Sequence, residues 1–166
     1  MRKQCGLRIS LKLSVAATIG LFLIGTAYAM IRTLPIEDMV RKSDHIVIAY
    51  VYSVTAVSSD PSTKIITLRN ELKLIESLKG SWPSEEPIIL TTIRHEEHWM
   101  EDNVELPPPG AKVVLFLTRY EDRLVPVNGI QGIWPMKGDK LLEMGRGKTL
   151  DEIRAIVKSQ EVRKKE

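Results

Sequence analysis

The stretch LPPPGAKVVLFLTR, residues 106–119, decides how the rest of the chain is read. Three prolines and Gly110 stop whatever precedes them. Val113, Val114, Leu115, Phe116 and Leu117 then follow without a polar break. A short apolar run bounded by turn residues reads as a strand, and the lack of alternation predicts burial on both of its faces. A small barrel buries only the inner face of each strand, so something else must cover the outer face of 113–117. Two apolar stripes are available for this, within 34–40 and 150–157.

Upstream, IVIAYVYSVTAV (46–57) is dominated by β-branched and aromatic residues and suits a strand. Ser58 to Ser62 then read as a turn. Between Lys64 and Lys79, Ile66, Leu68, Leu72 and Leu74 alternate with Thr67, Arg69, Glu71 and Lys73. That period of two predicts a strand with one wet face, against a competing helix over 71–78 in which Leu72, Ile75 and Leu78 share a side. Ile88 to Ile93 is a further strand, and the polar segment 94–105 is irregular.

Downstream, 124–127 is a short strand carrying a proline, and 133–136 and 140–144 pair around Lys137-Gly138-Asp139 as a hairpin. A short helix over 33–43 begins with Pro35 and carries Glu37 and Asp38 in its first turn. A second helix starts at a capping box, Thr149 with Glu152, and presents Leu150, Ile153, Ile156 and Val157 as one stripe. Residues 161–166 form a charged tail. The prediction is a mainly β fold of five or six antiparallel strands, a small barrel or rolled sheet with a short helix at either end.

The first 29 residues stand apart. Arg2, Lys3, Arg8 and Lys12 precede an uncharged apolar run from 13 to 31, and Ala27-Tyr28-Ala29 supplies small residues at the positions a signal peptidase requires. This is the pattern of a secretory signal, leaving 30–160 as a single domain. The alternative is an uncleaved anchor, since the run approaches the roughly 20 residues a membrane-spanning helix needs. Both readings place the domain outside the cytoplasm, periplasmic or secreted in one case and membrane-anchored in the other. Membrane contact through 13–31 is expected only if the segment stays attached.

Without the leader's 4 basic residues, the 24 Lys and Arg fall to 20 against 21 Asp and Glu, a net charge of −1. The basic balance thus belongs to the leader, and a near-neutral domain with few aromatics argues against nucleic-acid binding. No cysteine follows Cys5, so the domain must stand on its hydrophobic core.

Four segments, SDHIVIAYV (43–51), ELKLIESLKG (71–80), LPPPGAKVVLFLTR (106–119) and VPVNGIQGIWPM (125–136), occur in this order. Together they resemble the pattern of small exported bacterial proteins of unknown function. That resemblance implies an OB-like barrel, similar to the fold of the tissue inhibitors of metalloproteinases and the netrin module, over residues 33–145. The motifs are scaffold motifs and bring no catalytic residues with them. The cysteines that lock the animal inhibitors are missing here, so an inhibitory role does not transfer.

For chemistry, the densest segment is RHEEHWMED (94–102), in which His95, His98 and four carboxylates could ligate a divalent metal. A zincin helix needs its histidines four apart, and here they are three apart, so a metalloprotease is not indicated. GRGKT (145–149) ends like a phosphate-binding loop, but position 142 is Leu142 where that motif needs glycine, and a turn into the Thr149 cap is the simpler reading. Ser43, Asp44 and His45 are neighbours in sequence, which does not make a triad. No G-x-S-x-G occurs. In NGIQGIW, Asn128, Gln131 and Trp134 could line a binding groove; the structural alternative is a barrel corner with Trp134 in the core.

No assembled catalytic set is legible, no cofactor is called for beyond a possible divalent metal, and the sequence leans away from an enzyme. It leads to the expectation of an exported, non-enzymatic β-barrel module that binds a protein or envelope component. The alternative is an exported divalent-metal-binding protein using the 94–102 loop.

Overall fold

The computed structural model describes residues 32–83, 85–97 and 104–163. The expected leader, His98 and the last three residues lie outside that set. From Thr33 onward the chain forms one unit. Its elements in order are α1 (Ile36–Lys42), β1 (His45–Asp60), β2 (Ile65–Lys79), β3 (Ile88–His95), β4 (Lys112–Tyr120), β5 (Arg123–Pro126), β6 (Ile133–Lys137), β7 (Lys140–Leu141) and α2 (Leu150–Arg163). The fold is mainly β, antiparallel throughout, with one short helix early and one at the C-terminal end.

Among the described residues the strands number seven because Arg123–Pro126 and the two-residue Lys140–Leu141 both join the ladder. Their order is β3-β2-β1-β4-β6-β7, with β5 paired to the far half of β4. The ladder does not close. β3 comes alongside β5 with Cα separations within 8 Å, which rolls the sheet without a hydrogen-bonded seam. Period two prevails over the helical spacing in 71–78, since β2 runs unbroken to Lys79. β1 extends through Asp60, so Ser58 and Ser59 belong to the strand and the turn falls at 61–64. Likewise α2 continues to Arg163 and takes in the start of the charged tail.

All five side chains from Val113 to Leu117 are 0% exposed. Val113, Leu115 and Leu117 point into the roll against Val47, Ala49, Val51, Leu72, Ile88 and Leu90. Val114 and Phe116 point the other way, into a second cluster with Ile36, Met39 and Val40 of α1 and Ile153 and Val157 of α2. The outer face of β4 is therefore covered by both helices. Each buried side chain of this size contributes about 1.5–3 kcal/mol relative to exposure. A polar pair sets the register inside the roll: Asn70, fully buried, donates from Nδ2 to Leu90 O (3.1 Å) and to Thr92 Oγ1 (2.9 Å). Among the described residues no helix is long and apolar enough to cross a membrane.

The cover makes a quantitative demand. Ile153→Ala should lower the stability of the protein by about 2–5 kcal/mol in urea unfolding, while Ile156→Ala, only half-buried, should cost less. Equal, small effects at the two positions would show that α2 does not seal the sheet.

Candidate functional site

The outer face of the sheet is built in rows, because residues opposite each other in an antiparallel ladder share a face. One row is Glu76, Ile48, Val114 and Trp134 across β2, β1, β4 and β6. The helices cover the middle of that row. The next row is Lys73, Tyr50, Lys112 and Met136, where Met136 still packs against the outer cluster and the rest is less covered. Tyr50 is 45% exposed there.

Bulges add to this open row. Val51 pairs with Leu72 and Ser53 with Glu71, which leaves Tyr52 as an extra residue of β1. Ile48 pairs with Glu76 and Ala49 with Leu74, which leaves Ile75 as an extra residue of β2. Tyr52 shares the face of Tyr50, and Ile75 that of Lys73, because residues two apart in a strand point the same way. Tyr52 and Ile75 are accordingly 57% and 42% exposed. The Lys73 ammonium lies 4.0 Å from the centre of the Tyr52 ring, and that of Lys112 lies 5.8 Å from the Tyr50 ring, so each tyrosine has a cation at its face.

Between this row and the first turn of α2 runs a groove of about 530 Å³, with Ile48, Ile75, Met136 and Leu150 among its lining residues. Arg154 stands at its helix side. Its guanidinium donates to both carboxylate oxygens of Glu76 (2.9 Å each) and to Asp151 (2.9 Å), and these bonds raise its already high pKa. The Thr149 hydroxyl accepts the Glu152 N–H (3.1 Å) and starts the helix. The reciprocal half of the expected capping box is not made, because the Glu152 carboxylate takes the Lys148 ammonium at 2.9 Å instead.

Asn128, Gln131 and Trp134 do come together, around the entry of the chain into the fold. The Gln131 carboxamide grips Leu34 at two points, donating from Nε2 to Leu34 O (2.6 Å) and accepting the Leu34 N–H at Oε1 (2.9 Å). Asn128 Nδ2 donates to the same oxygen (2.6 Å) from a left-handed backbone, φ 56°. The Trp134 indole N–H donates to Gln131 O (2.7 Å), and its ring packs 4.6 Å from Phe116. Gln131 and Trp134 are buried, and Asn128 edges a shallow cleft with Leu34, Lys42 and Thr118. This constellation fixes residue 34 to the sheet; Trp134 presents no open ring face there.

His95 ends β3, where its Nδ1 accepts the Glu97 N–H (3.2 Å). Lys64 pairs with Glu97 (3.4 Å) and Arg94 with Glu105 (3.8 Å). Among the described residues no three His, Cys, Asp or Glu side chains gather as a metal-holding group; His98 lies outside those residues.

The neighbours Ser43, Asp44 and His45 face three different partners. The Ser43 hydroxyl donates to Met39 O (2.7 Å) at the end of α1. The Asp44 carboxylate accepts the Arg119 N–H (2.8 Å) and the Thr118 hydroxyl (3.0 Å); the Arg119 N–H is the main cause holding its pKa below the usual aspartate value. His45 stands edge-on to Trp82 at 5.4 Å. Gly80, at φ +72°, passes so close that a Cβ would fall 2.6 Å from Asp44 O and 2.7 Å from His45 Nδ1. The Lys79 ammonium closes α1 by donating to Val40 O and Ser43 O. These groups tie the start of β1 to β2 and β4 and are not arranged around a common reacting atom.

Sequence reasoning did not single out Tyr50, Tyr52, Lys73, Ile75 or Lys112. The signal present was Tyr50 and Tyr52, and Lys73 and Ile75, each two apart in a strand and so on one face; that the helices leave this part of the face open is not marked in a single chain.

Gln131→Ala should cost about 1–3 kcal/mol in urea unfolding, since the substitution strands the Leu34 N–H and C=O. It should also speed hydrogen exchange at the Leu34 amide. Unchanged exchange at Leu34 would mean that the clamp does not hold the segment.

No protein-family model matches the chain and no curated protein matches it, so a functional reading rests on these surfaces alone.

Proposed function

We propose that the protein is an exported, non-enzymatic binding module that engages a protein or a component of the cell envelope. The observation that carries this reading is the open row of the sheet, where Tyr50, Tyr52 and Ile75 stay 42–57% exposed beside a groove that mixes aliphatic residues with charged ones. Large apolar side chains gathered on one face, when the rest of that face is sealed by helices, are what a docking surface presents. The commitment of Ser43, Asp44 and His45 to separate partners supports a binding role over nucleophilic catalysis. The basic, apolar, A-x-A-ending leader supports an address outside the cytoplasm, periplasmic or secreted after cleavage, or anchored through 13–31. The net charge of −1 on the remainder supports partners other than nucleic acid.

The test keeps the full chain with its own leader in living cells. A photo-crosslinking amino acid replaces Tyr52 in one strain and Val162, an exposed residue of α2, in another. The expected result is an adduct formed from position 52 in the envelope or exported fraction and none from position 162. Recovery of the protein in the cytoplasm, or no adduct from position 52 above the Val162 control, would overturn the proposal.

A further inference from the structure

Going beyond that reading, we infer that the free edge of β1, residues 52–60, pairs antiparallel with the same edge of a second copy of this chain, around a two-fold axis at Thr55. The argument begins with the backbone. β2 flanks β1 from Ile46 to Asp60, but β4 flanks its other side only as far as Tyr50. The chain bordering that side leaves at Val51, where the Gly110 N–H donates to Val51 O (2.8 Å) and the Val51 N–H to Ala111 O (3.0 Å). Among the described residues, 52–60 then have a strand partner in β2 alone. The N–H and C=O groups that this half of β1 aims away from β2 form a row that only another strand pairs in full. The outer edge of β3 is different, because β5 runs alongside it.

Side chains choose the occupant. Proteins guard such an edge with lysine, proline or an inward-pointing charge, and VYSVTAVSS (51–59) has none of these. Bulges at Tyr52 and Val57 bound a regular stretch, Ser53–Ala56. Val54 and Ala56 lie opposite the buried Asn70 and Leu68, on the inner side of the sheet. Thr55 lies opposite Arg69 on the outer side, which Val57 shares, being two residues on. With the axis at Thr55, Thr55 meets Thr55, Val54 meets Ala56 and Ser53 meets Val57, so each pair joins a small or hydroxyl-bearing side chain to its neighbour. Tyr52 of each copy, 57% exposed, comes beside Val57 of the other, 55% exposed. An unrelated strand gains the backbone bonds alone, whereas a second copy adds these pairs, each made twice by the two-fold.

Charge does not oppose the pairing. Arg69, Glu71 and Lys73 sit one strand further in, so three strand spacings, roughly 14 Å, separate the β2 strands of the two copies. That exceeds the Debye length of about 8 Å at physiological salt. The carboxylates at the far end are Asp60 and Glu96, which accepts the Ser59 hydroxyl (3.4 Å). Ser59 and Asp60 are far enough along the strand from Thr55 to hold these groups roughly 26 Å or more from their counterparts. The groove beside α2 plays no part in the contact.

The experiment uses the full chain in mild detergent, with Cys5→Ser removing its one thiol. Thr55→Cys in that background should give a disulfide-linked dimer under mild oxidation, because facing residues of an antiparallel pair have Cα atoms about 4.5–5.5 Å apart. Thr91→Cys, also exposed but on β3, should not. Thr55→Lys and Thr55→Glu should each weaken self-association about tenfold or more in sedimentation at low salt, in variants whose urea midpoints match the parent. Mixing the two variants should restore association, since opposite charges then face each other at the axis. No more dimer from position 55 than from position 91, or a Lys/Glu mixture no better associated than either variant alone, would overturn the inference. In cells, an adduct from position 52 with the mass of two chains reports this dimer, and one of any other mass reports the envelope partner. The two readings therefore stand or fall separately.

Discussion

The two-sided burial of β4 is the constraint on which the rest of the molecule depends. Five consecutive apolar side chains cannot alternate between core and water, so the chain has to build a second core on the outer side of its own sheet. This explains why the helices sit where they do. α1 is only seven residues long and could not hold itself together in water, yet it supplies three buried side chains to the outer cluster. It is held by side chains brought from elsewhere: Lys79 on its last carbonyls and Gln131 on the backbone of Leu34 just ahead of it. The second helix adds Ile153 and Val157 from the far end of the chain. Sheet, helices and clamps answer one requirement set by residues 113–117.

The same requirement explains where the cover ends. The apolar row through Ile48, Val114 and Trp134 is sealed, and the row through Tyr50 and Lys112 mixes aromatic rings with ammonium groups that tolerate water. Four irregularities in the β1–β2 pairing leave Leu78, Ile75, Tyr52 and Val57 as extra residues, and all four are apolar or aromatic. Leu78 packs against the outer cluster, while the other three remain exposed. Bulges that served only to bend the sheet could carry polar residues at these places. Apolar ones at the edge of a sealed face are what the proposed docking surface uses.

Much of the architecture was legible because it rests on local patterns. The unbroken run at 113–117 announced a strand covered on both sides, and the stripes in 34–40 and 150–157 were the only local candidates to cover it; both do so. Alternation in 65–74 identified β2, and Thr149 marked the start of the last helix. Closure was less legible. Whether a rolled sheet joins its first and last strands depends on its twist and on long-range register, which no short window encodes. The split of β4 between β6 and β5 on one edge, with β3 alongside β5 but unbonded to it, is a property of the assembled sheet. The polar cluster of Asn128, Gln131 and Trp134 was visible as a group, and its amides turn inward to hold Leu34 because an incoming backbone there needs partners. The Tyr52 and Ile75 face was less legible for another reason: alternation puts these side chains with Tyr50 and Lys73 on one side, but how far the helices extend over that side is set by long-range packing.

In the proposed role the open row is occupied when the protein is at work. Tyrosine nitration followed by peptide mass spectrometry reads this directly, comparing intact cells with the purified chain. Tyr120, 66% exposed on the far end of β4, serves as the internal reference. Tyr50 and Tyr52 are expected to react readily in the purified protein and to be shielded relative to Tyr120 in cells. Equal reactivity of Tyr50, Tyr52 and Tyr120 in both settings would contradict it.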